Sequence, residues 1–336
     1  MIDSCMGDMI NRGGKLVGIT KNILLIVLLA WLLSGCQTSS QSTPMSVPVI
    51  KTAIGKLPGI VAPETKIPKF EHIIVIVFEN RNYQEVISNT NLPNFNQLAT
   101  DNVLLTQYFA VTHPSLPNYL ALIGGDTFGV NSDCIDCFIN QNSLPDLIDA
   151  SGRSWKTYQE DLPADCFIGN SGDYVQRHDP FIYFDPIRTQ TGRCQKGIVP
   201  LKSLDADLAG NTLPDYAFIM PNLCNSGHNC NLKTGDKWLK QMVTKLQGST
   251  ALGQRYLIAI VFDEASADNS SCCGLANNAG GHIAGILISP QAKVGFKDET
   301  PLSHYSLLKT ILISWGLPGL GFTTNPATQA IIAPWK

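Results

Sequence analysis

Three doublets rich in oxygen and nitrogen follow apolar runs in this chain. Glu79-Asn80 comes after HIIVIVF (72–78), and Asp263-Glu264 after YLIAIVF (256–262). Pro221-Asn222 comes after YAFIM (216–220), with His228 just beyond. Carboxylate and amide oxygens are hard donors suited to Mg²⁺, Ca²⁺ or Mn²⁺; added imidazole nitrogens would suit Zn²⁺. Ser115, in VTHPSLPNY (111–119), is a candidate nucleophile. Pro117 suits a first helical turn, so Ser115 falls near a helix N-terminus. Backbone N–H groups and the helix dipole there favour an anion such as phosphate. A free serine hydroxyl is a poor nucleophile, and a divalent cation beside it would lower its pKa and screen the phosphate oxygens. Taken singly, each feature has a plainer role: Ser115 as a helix cap, the acidic doublets as strand-end turns or solvated loops.

These residues need elements to position them. The three runs are rich in β-branched residues and nearly unbroken, as expected of strands buried on both faces. Further strands are expected at Ser154–Tyr158 and His282–Ser289. Helices are expected at Pro93–Leu105, Lys237–Leu246 and His304–Trp315. The alternation predicts an α/β fold, a mainly parallel sheet flanked by helices. Ligands of such sheets bind beyond the carboxyl ends of the strands, where all three doublets fall. His72, on the first strand, reads as a satisfied structural histidine. Trp155, Tyr158 and Phe181 read as core or pocket wall, and His113 as either packing or orienting its neighbours.

The N-terminal stretch bears on compartment. Arg12, Lys15 and Lys21 precede an apolar run, Ile23–Leu33, too short to span a bilayer comfortably and suited to a signal peptide. Leu33-Ser34-Gly35-Cys36 matches a bacterial lipobox, with lipid on the Cys36 sulfur. The expected organisation is a signal peptide over 1–35, a lipidated flexible tether over 36–70 and a catalytic domain over 71–336. The tether is rich in Gln, Ser, Thr and Pro. The product is an exported lipoprotein anchored at the outer membrane, or a periplasmic or secreted one if the signal is cleaved without lipidation. Of 336 residues 44% are hydrophobic and 15% charged, with a net charge of -3. A sizeable core follows, and there is no basic surface for nucleic acid. Eight of the ten cysteines lie beyond Cys36, an even number that reads as disulfides in an exported chain. Cys134–Cys137 and Cys224–Cys230 are plausible short-range pairs. Cys272 and Cys273 are expected to pair elsewhere.

Several motifs occur in an order that resembles a known family. HIIVIVFENRNYQEV (72–86), THPSLPNYLALIGG (112–125), FDEASADNSSCCG (262–274) with GGHIAGILISP (280–290), and HYSLLKTI (304–311) are similar to the phosphoesterase family of bacterial acid phosphatases and phospholipases C. WKTYQEDLP (155–163), YVQRHDPFIYF (174–184) and PNLCNSGHNC (221–230) look like its acid phosphatase branch. The resemblance implies an alkaline-phosphatase-like core and one or more divalent metal ions. It implies Ser115 as a nucleophile forming a phosphoenzyme, and Glu79, Asn80, Asp263 and Glu264 as metal ligands. His228 and His282 match catalytic histidines; Asn118, Arg177, His178 and His304 match positions near substrate. The branch carries an Asp two residues before the histidine of the third motif; here that position is Ser226, which leaves the orientation and charge of His228 open.

The expected activity is that of a metal-dependent acid phosphatase acting on phosphomonoesters, with phosphoinositides and other phospholipid-derived esters as candidate substrates. A protonated histidine donating to the leaving oxygen favours an acidic optimum. The alternatives are a phospholipase C and a surface lipoprotein that binds without turnover. The shortness of the chain speaks mildly against the phospholipase.

Overall fold

The computed structural model describes residues 66–336; the expected signal peptide, Cys36 and most of the expected tether lie outside the described residues. The strands in chain order are β1 (His72–Phe78), β2 (Val103–Phe109), β3 (Trp155–Gln159), β4 (Ile198–Pro200), β5 (Tyr216–Met220), β6 (Tyr256–Phe262), β7 (His282–Ile288), β8 (Lys297–Asp298) and β9 (Leu302–Ser303). The α-helices are α1 (Tyr83–Val86), α2 (Pro93–Asp101), α3 (Ser115–Gly124), α4 (Leu144–Ala150), α5 (Asp185–Arg188), α6 (Thr191–Gly197), α7 (Ser203–Ala209), α8 (Leu232–Gln247) and α9 (His304–Trp315). All strands join one sheet in the order β4-β3-β5-β1-β6-β7-β2-β8, with β9 also on β2. Only the pairs made by β7, with β6 and β2, are antiparallel.

The continuous apolar runs are explained by helices on both faces. Phe78 and its register partner Phe262 point to one face, where Phe95 of α2 and Trp238 of α8 pack on Phe78. Tyr216 and Phe218 pair with Ile73 and Val75, so they point to the other face, because side chains alternate along a strand. There they meet Trp315 of α9 and Tyr119 of α3. Trp155 and Phe181 are core residues stacked 5.4 Å apart. His72 is satisfied by the Pro214 carbonyl at 2.9 Å.

Two expectations are corrected. The helix foreseen over Pro93–Leu105 stops at Asp101, and Val103 begins β2. Leu104 and Leu105 suit either element by pattern; pairing with Ile286 and Gly285 of β7 decides for strand. Cys272 and Cys273, expected to pair elsewhere, pair with each other. Of the four cysteines left after the two short-range pairs, Cys166, in the loop after β3, pairs with Cys194 of α6, so among the described residues Cys272 and Cys273 have only each other. Among the described residues no helix is long and apolar enough to cross a membrane.

The direction of β7 matters for the site. β1, β5, β6 and β2 run the same way, so their carboxyl ends share one rim. β7 runs against them and brings its first residue, His282, to that rim. β9 runs parallel to β2 and delivers His304, the first residue of α9, there as well. Gly281, just before β7, has a φ of +86°, and a side chain there would collide with the Asp268 carbonyl. A glycine is needed for the chain to pass so close to the loop after β6.

Candidate active site

The rim gathers three carboxylates around one hydroxyl. Ser115 is the first residue of α3, after Pro114, and is buried. Its Oγ lies 3.4 Å from Glu79 Oε2 and 3.4 Å from Glu264 Oε1. Both separations exceed the usual 2.5–3.0 Å of an O–H···O bond, so the hydroxyl is bound tightly to neither.

Each carboxylate is held differently. Glu79 is fully buried and accepts from the Tyr119 hydroxyl, with His178 Nε2 3.2 Å from the same oxygen. Burial alone would raise its pKa; the charge of the nearby His178 and the bond from Tyr119 override that and hold it at about 2. Glu264 Oε2 lies 2.5 Å from His113 Nδ1. The hydrogen bond to Glu264 raises the pKa of His113 against the effect of burial. Burial raises that of Glu264, and His113 only partly offsets it. Asp263 uses one oxygen, Oδ1, to accept from the backbone N–H groups of Asn80 at 2.9 Å and Glu264 at 2.6 Å. Its Oδ2 is buried with no hydrogen-bond partner among the described residues. Burial first, then the charges of Glu79 and Glu264, push its pKa well above the carboxylate range. Asn80, in the left-handed region at φ 49°, turns its amide onto Glu79 at 3.4 Å.

The other expected residues take distinct posts. Asn118 uses its whole amide on the loop before α3. Its Oδ1 accepts from Val111 and Thr112, and its Nδ2 donates to the Thr112 and Pro114 carbonyls. It shapes the loop that carries Ser115 and has nothing left for a substrate. His304 is fully buried, with Nε2 2.7 Å from the Asp263 carbonyl and Nδ1 3.2 Å from Tyr108. It lies beneath the site, not against a ligand. Burial lowers its pKa to about 4, partly opposed by that carbonyl. His282 is stacked between Tyr83 at 4.4 Å and Phe109 at 5.0 Å, and its Nε2 meets the Thr106 carbonyl at 2.9 Å. It reaches the rim but is tied to β2 and away from the carboxylates. His178 supports Glu79 from the buried side.

Arg177 and His228 form the outer edge. His228 is exposed, with Nδ1 2.7 Å from Asn229 Oδ1 and Nε2 3.3 Å from an Arg177 nitrogen. Its orientation therefore comes from Asn229, the next residue. Ser226 is buried; its hydroxyl donates to the Leu223 carbonyl, and its own carbonyl accepts from Glu79 N at 3.1 Å. Arg177 Nε is buried without a hydrogen-bond partner among the described residues, 3.6 Å from Asp133 Oδ2.

Sequence reading missed two residues. Tyr119 lies four residues beyond Ser115, one turn along the same helix face, a spacing that carries a signal. Asp133, which accepts from Leu116 N at 3.0 Å, comes from an irregular loop where no periodicity could single it out. Among the described residues no three His, Cys, Asp or Glu side chains already stand in a metal-binding arrangement.

Residues 86–318, more than half of the chain, match the Phosphoesterase family. The chain belongs to this family. It is 31% identical to an acid phosphatase of Aspergillus fumigatus over 85% of its own length, and spans 64% of that relative. It is 31% identical to a phosphate-repressible acid phosphatase of Penicillium chrysogenum, over 90% of this chain and 73% of that one. It is 29% identical to a phosphatidylinositol-3-phosphatase of Mycobacterium tuberculosis, over 84% of this chain and 89% of that one. Among solved structures, an alkaline phosphatase superfamily protein from Vibrio parahaemolyticus superposes with a TM-score of 0.55 at 13% identity, over 81% of this chain and 72% of that one. The core of this Phosphoesterase chain is thus alkaline-phosphatase-like, with four disulfides stapling its loops.

Proposed function

We propose that the chain is a metal-dependent phosphatase of the acid phosphatase branch, hydrolysing phosphomonoesters through Ser115. The observation that carries the reading is Asp263 Oδ2: a buried carboxylate oxygen with no partner, in a group of three carboxylates around a serine. Like charges buried together need a counter-charge or a proton. Hard oxygen donors fit a divalent cation, and Glu79, Asn80, Asp263 and Glu264 would hold it. Such a cation, when bound, lowers the pKa of the serine hydroxyl and screens the phosphate oxygens.

The remaining steps belong to the chain's own residues. Ser115 Oγ attacks phosphorus; a Ser115–phosphate bond forms as the bond to the ester oxygen breaks. The serine proton passes to a neighbouring carboxylate, and Glu264, backed by His113, is the better acceptor because Glu79 is already committed to Tyr119 and His178. His228, exposed at the edge, donates a proton to the leaving alkoxide. Arg177, whose Nε faces Asp133 and whose terminal nitrogen lies beside His228, and the N-terminal dipole of α3 hold the phosphate oxygens. Water then cleaves the phosphoserine and releases phosphate. Phosphoinositides are a candidate substrate class, supported by the similarity to the mycobacterial phosphatase.

The test is hydrolysis of an aryl phosphate with and without chelator. Ser115→Ala is expected to lose activity roughly a thousandfold or more. Chelation should abolish turnover, with Mg²⁺, Mn²⁺, Ca²⁺ or Zn²⁺ restoring it. Wild-type-like rates in Ser115→Ala would sink the proposal. Diacylglycerol release from phosphatidylcholine at rates rivalling phosphate release would point instead to a phospholipase C.

We also propose an exported lipoprotein, on the strength of Ile23–Leu33 and the lipobox ending at Cys36. A mature N-terminus at Cys36 carrying the mass of a lipid is the expected mass-spectrometric result; an unprocessed start would refute it.

A further inference from the structure

A cavity of about 320 Å³ opens beside the loop that carries Ser115. One wall is Val111-Thr112, another includes Val130, and Leu275, Tyr305 and Phe322 are among the rest of the lining. Both first walls lead to the nucleophile. Thr112 is three residues before Ser115, so no more than about 11 Å of chain separates them. Val130 is three residues before Asp133, whose carboxylate accepts from Leu116 N, the N–H next to Ser115.

The lining is uncharged and more apolar than polar, with Thr127, Asn131 and Asn278 beside the hydrophobic side chains. Val111 and Tyr305 are buried with Ala121 in a small cluster apart from the main core, and the partly buried Leu275 packs against it. Phe322 stacks on Tyr305 with ring centres 5.1 Å apart, yet is 42% exposed. No charged side chain lines the cavity among the described residues. That sets it apart from the carboxylate cluster and from a site for a second phosphate, which would call for Arg or Lys. Leu275 follows closely on the paired Cys272–Cys273, and Cys272 Sγ lies 3.4 Å from the Leu302 carbonyl. Through that contact Cys272 packs against the strand that precedes α9, next to the Gly274–Leu275 wall. A largely apolar, uncharged concavity of this size is a small-molecule site in its dimensions and lining.

We infer that this cavity takes the organic part of the phosphate ester, and that it favours an aromatic or otherwise apolar group of one or two rings over a small polyol. The inference rests on the phosphatase reading and adds to it the substrate class. Burying a ring against Tyr305, Phe322 and Leu275 supplies the preference, since aromatic groups carry large apolar area.

The experiment compares the full chain with Ala276→Phe, which fills the cavity, and Phe322→Ala, an exposed position that should leave folding intact. Two readouts are taken. The first is the ratio of kcat/KM for 1-naphthyl phosphate to that for glycerol 3-phosphate, expected to fall about tenfold in each variant. The second is equilibrium binding of the non-hydrolysable 1-naphthylmethylphosphonate, expected to weaken by a similar factor. An unchanged ratio and unchanged binding in both variants would overturn the inference while Ser115-dependent turnover stood. Loss of the phosphatase reading would appear separately, as no turnover of either ester by the wild type; weaker phosphonate binding in the variants would still support the cavity.

Discussion

Asp207 and Asp263 are both buried carboxylates on this sheet's flank and rim, and they are treated in opposite ways. Asp207, on α7, receives Lys156 at 2.6 Å and Tyr158 at 2.7 Å on one oxygen, and Thr212 at 3.0 Å on the other. Burial would raise its pKa, but the bonds from Lys156 and Tyr158 and the lysine charge hold it below the usual range. Asp263 has two backbone donors on one oxygen, none on the other, and two carboxylates for neighbours. The first arrangement stabilises the charged form and so the fold. The second opposes ionisation and leaves a buried oxygen without a partner, which no structural role requires. The contrast separates a carboxylate kept for stability from one kept for chemistry.

Acid titration probes the support beneath Asp263. His304 holds the Asp263 carbonyl and has a folded pKa of about 4, lowered from 6.5 by burial. The unfolded chain gains a proton near pH 6.5 that the folded chain resists until about pH 4. Stability from this group is therefore full above pH 6.5 and is lost as pH falls through that window. The expected loss is on the order of 3 kcal/mol between pH 7 and 4. Urea unfolding over this range should show the slope, and His304→Gln should flatten it; equal slopes would remove His304 from the account.

Tyr119→Phe takes from Glu79 its hydroxyl donor. A buried acceptor left short costs about 1–3 kcal/mol, and aryl phosphate turnover should fall roughly tenfold, a barrier change near 1.4 kcal/mol. Retained activity would place Tyr119 outside the site. Asp207→Asn should show the opposite profile. It weakens the bonds to Lys156 and Tyr158, lowers stability by about 1–2 kcal/mol, and leaves turnover within about twofold. A large loss of activity there would erase the distinction between the two carboxylates.

Much of this was legible in the sequence, for physical reasons. β1, β5 and β6 could be read from HIIVIVF, YAFIM and YLIAIVF because strands covered on both faces need unbroken apolar runs, and the doublets after them mark the rim. β2 was obscured because VLL continues the apolar pattern of α2 after only the short polar break at Asp101-Asn102. The direction of β7 leaves no trace in its composition, so nothing foretold that His282 would be stacked between Tyr83 and Phe109. Roles set by tertiary hydrogen bonds were also hidden. Asn118 spends its amide on its own loop, His304 turns under the site, and Asp133 arrives from a loop. Such partners are distant in sequence or invisible to periodicity.

Asp263→Asn joins the two halves of the comparison, since it removes the ability to ionise and keeps the shape. Aryl phosphate turnover and urea unfolding without added metal should be measured on one preparation. The account predicts activity lower by roughly a thousandfold with stability equal to or above the wild type. Near wild-type turnover, or a fall in stability like that expected of Asp207→Asn, would contradict it.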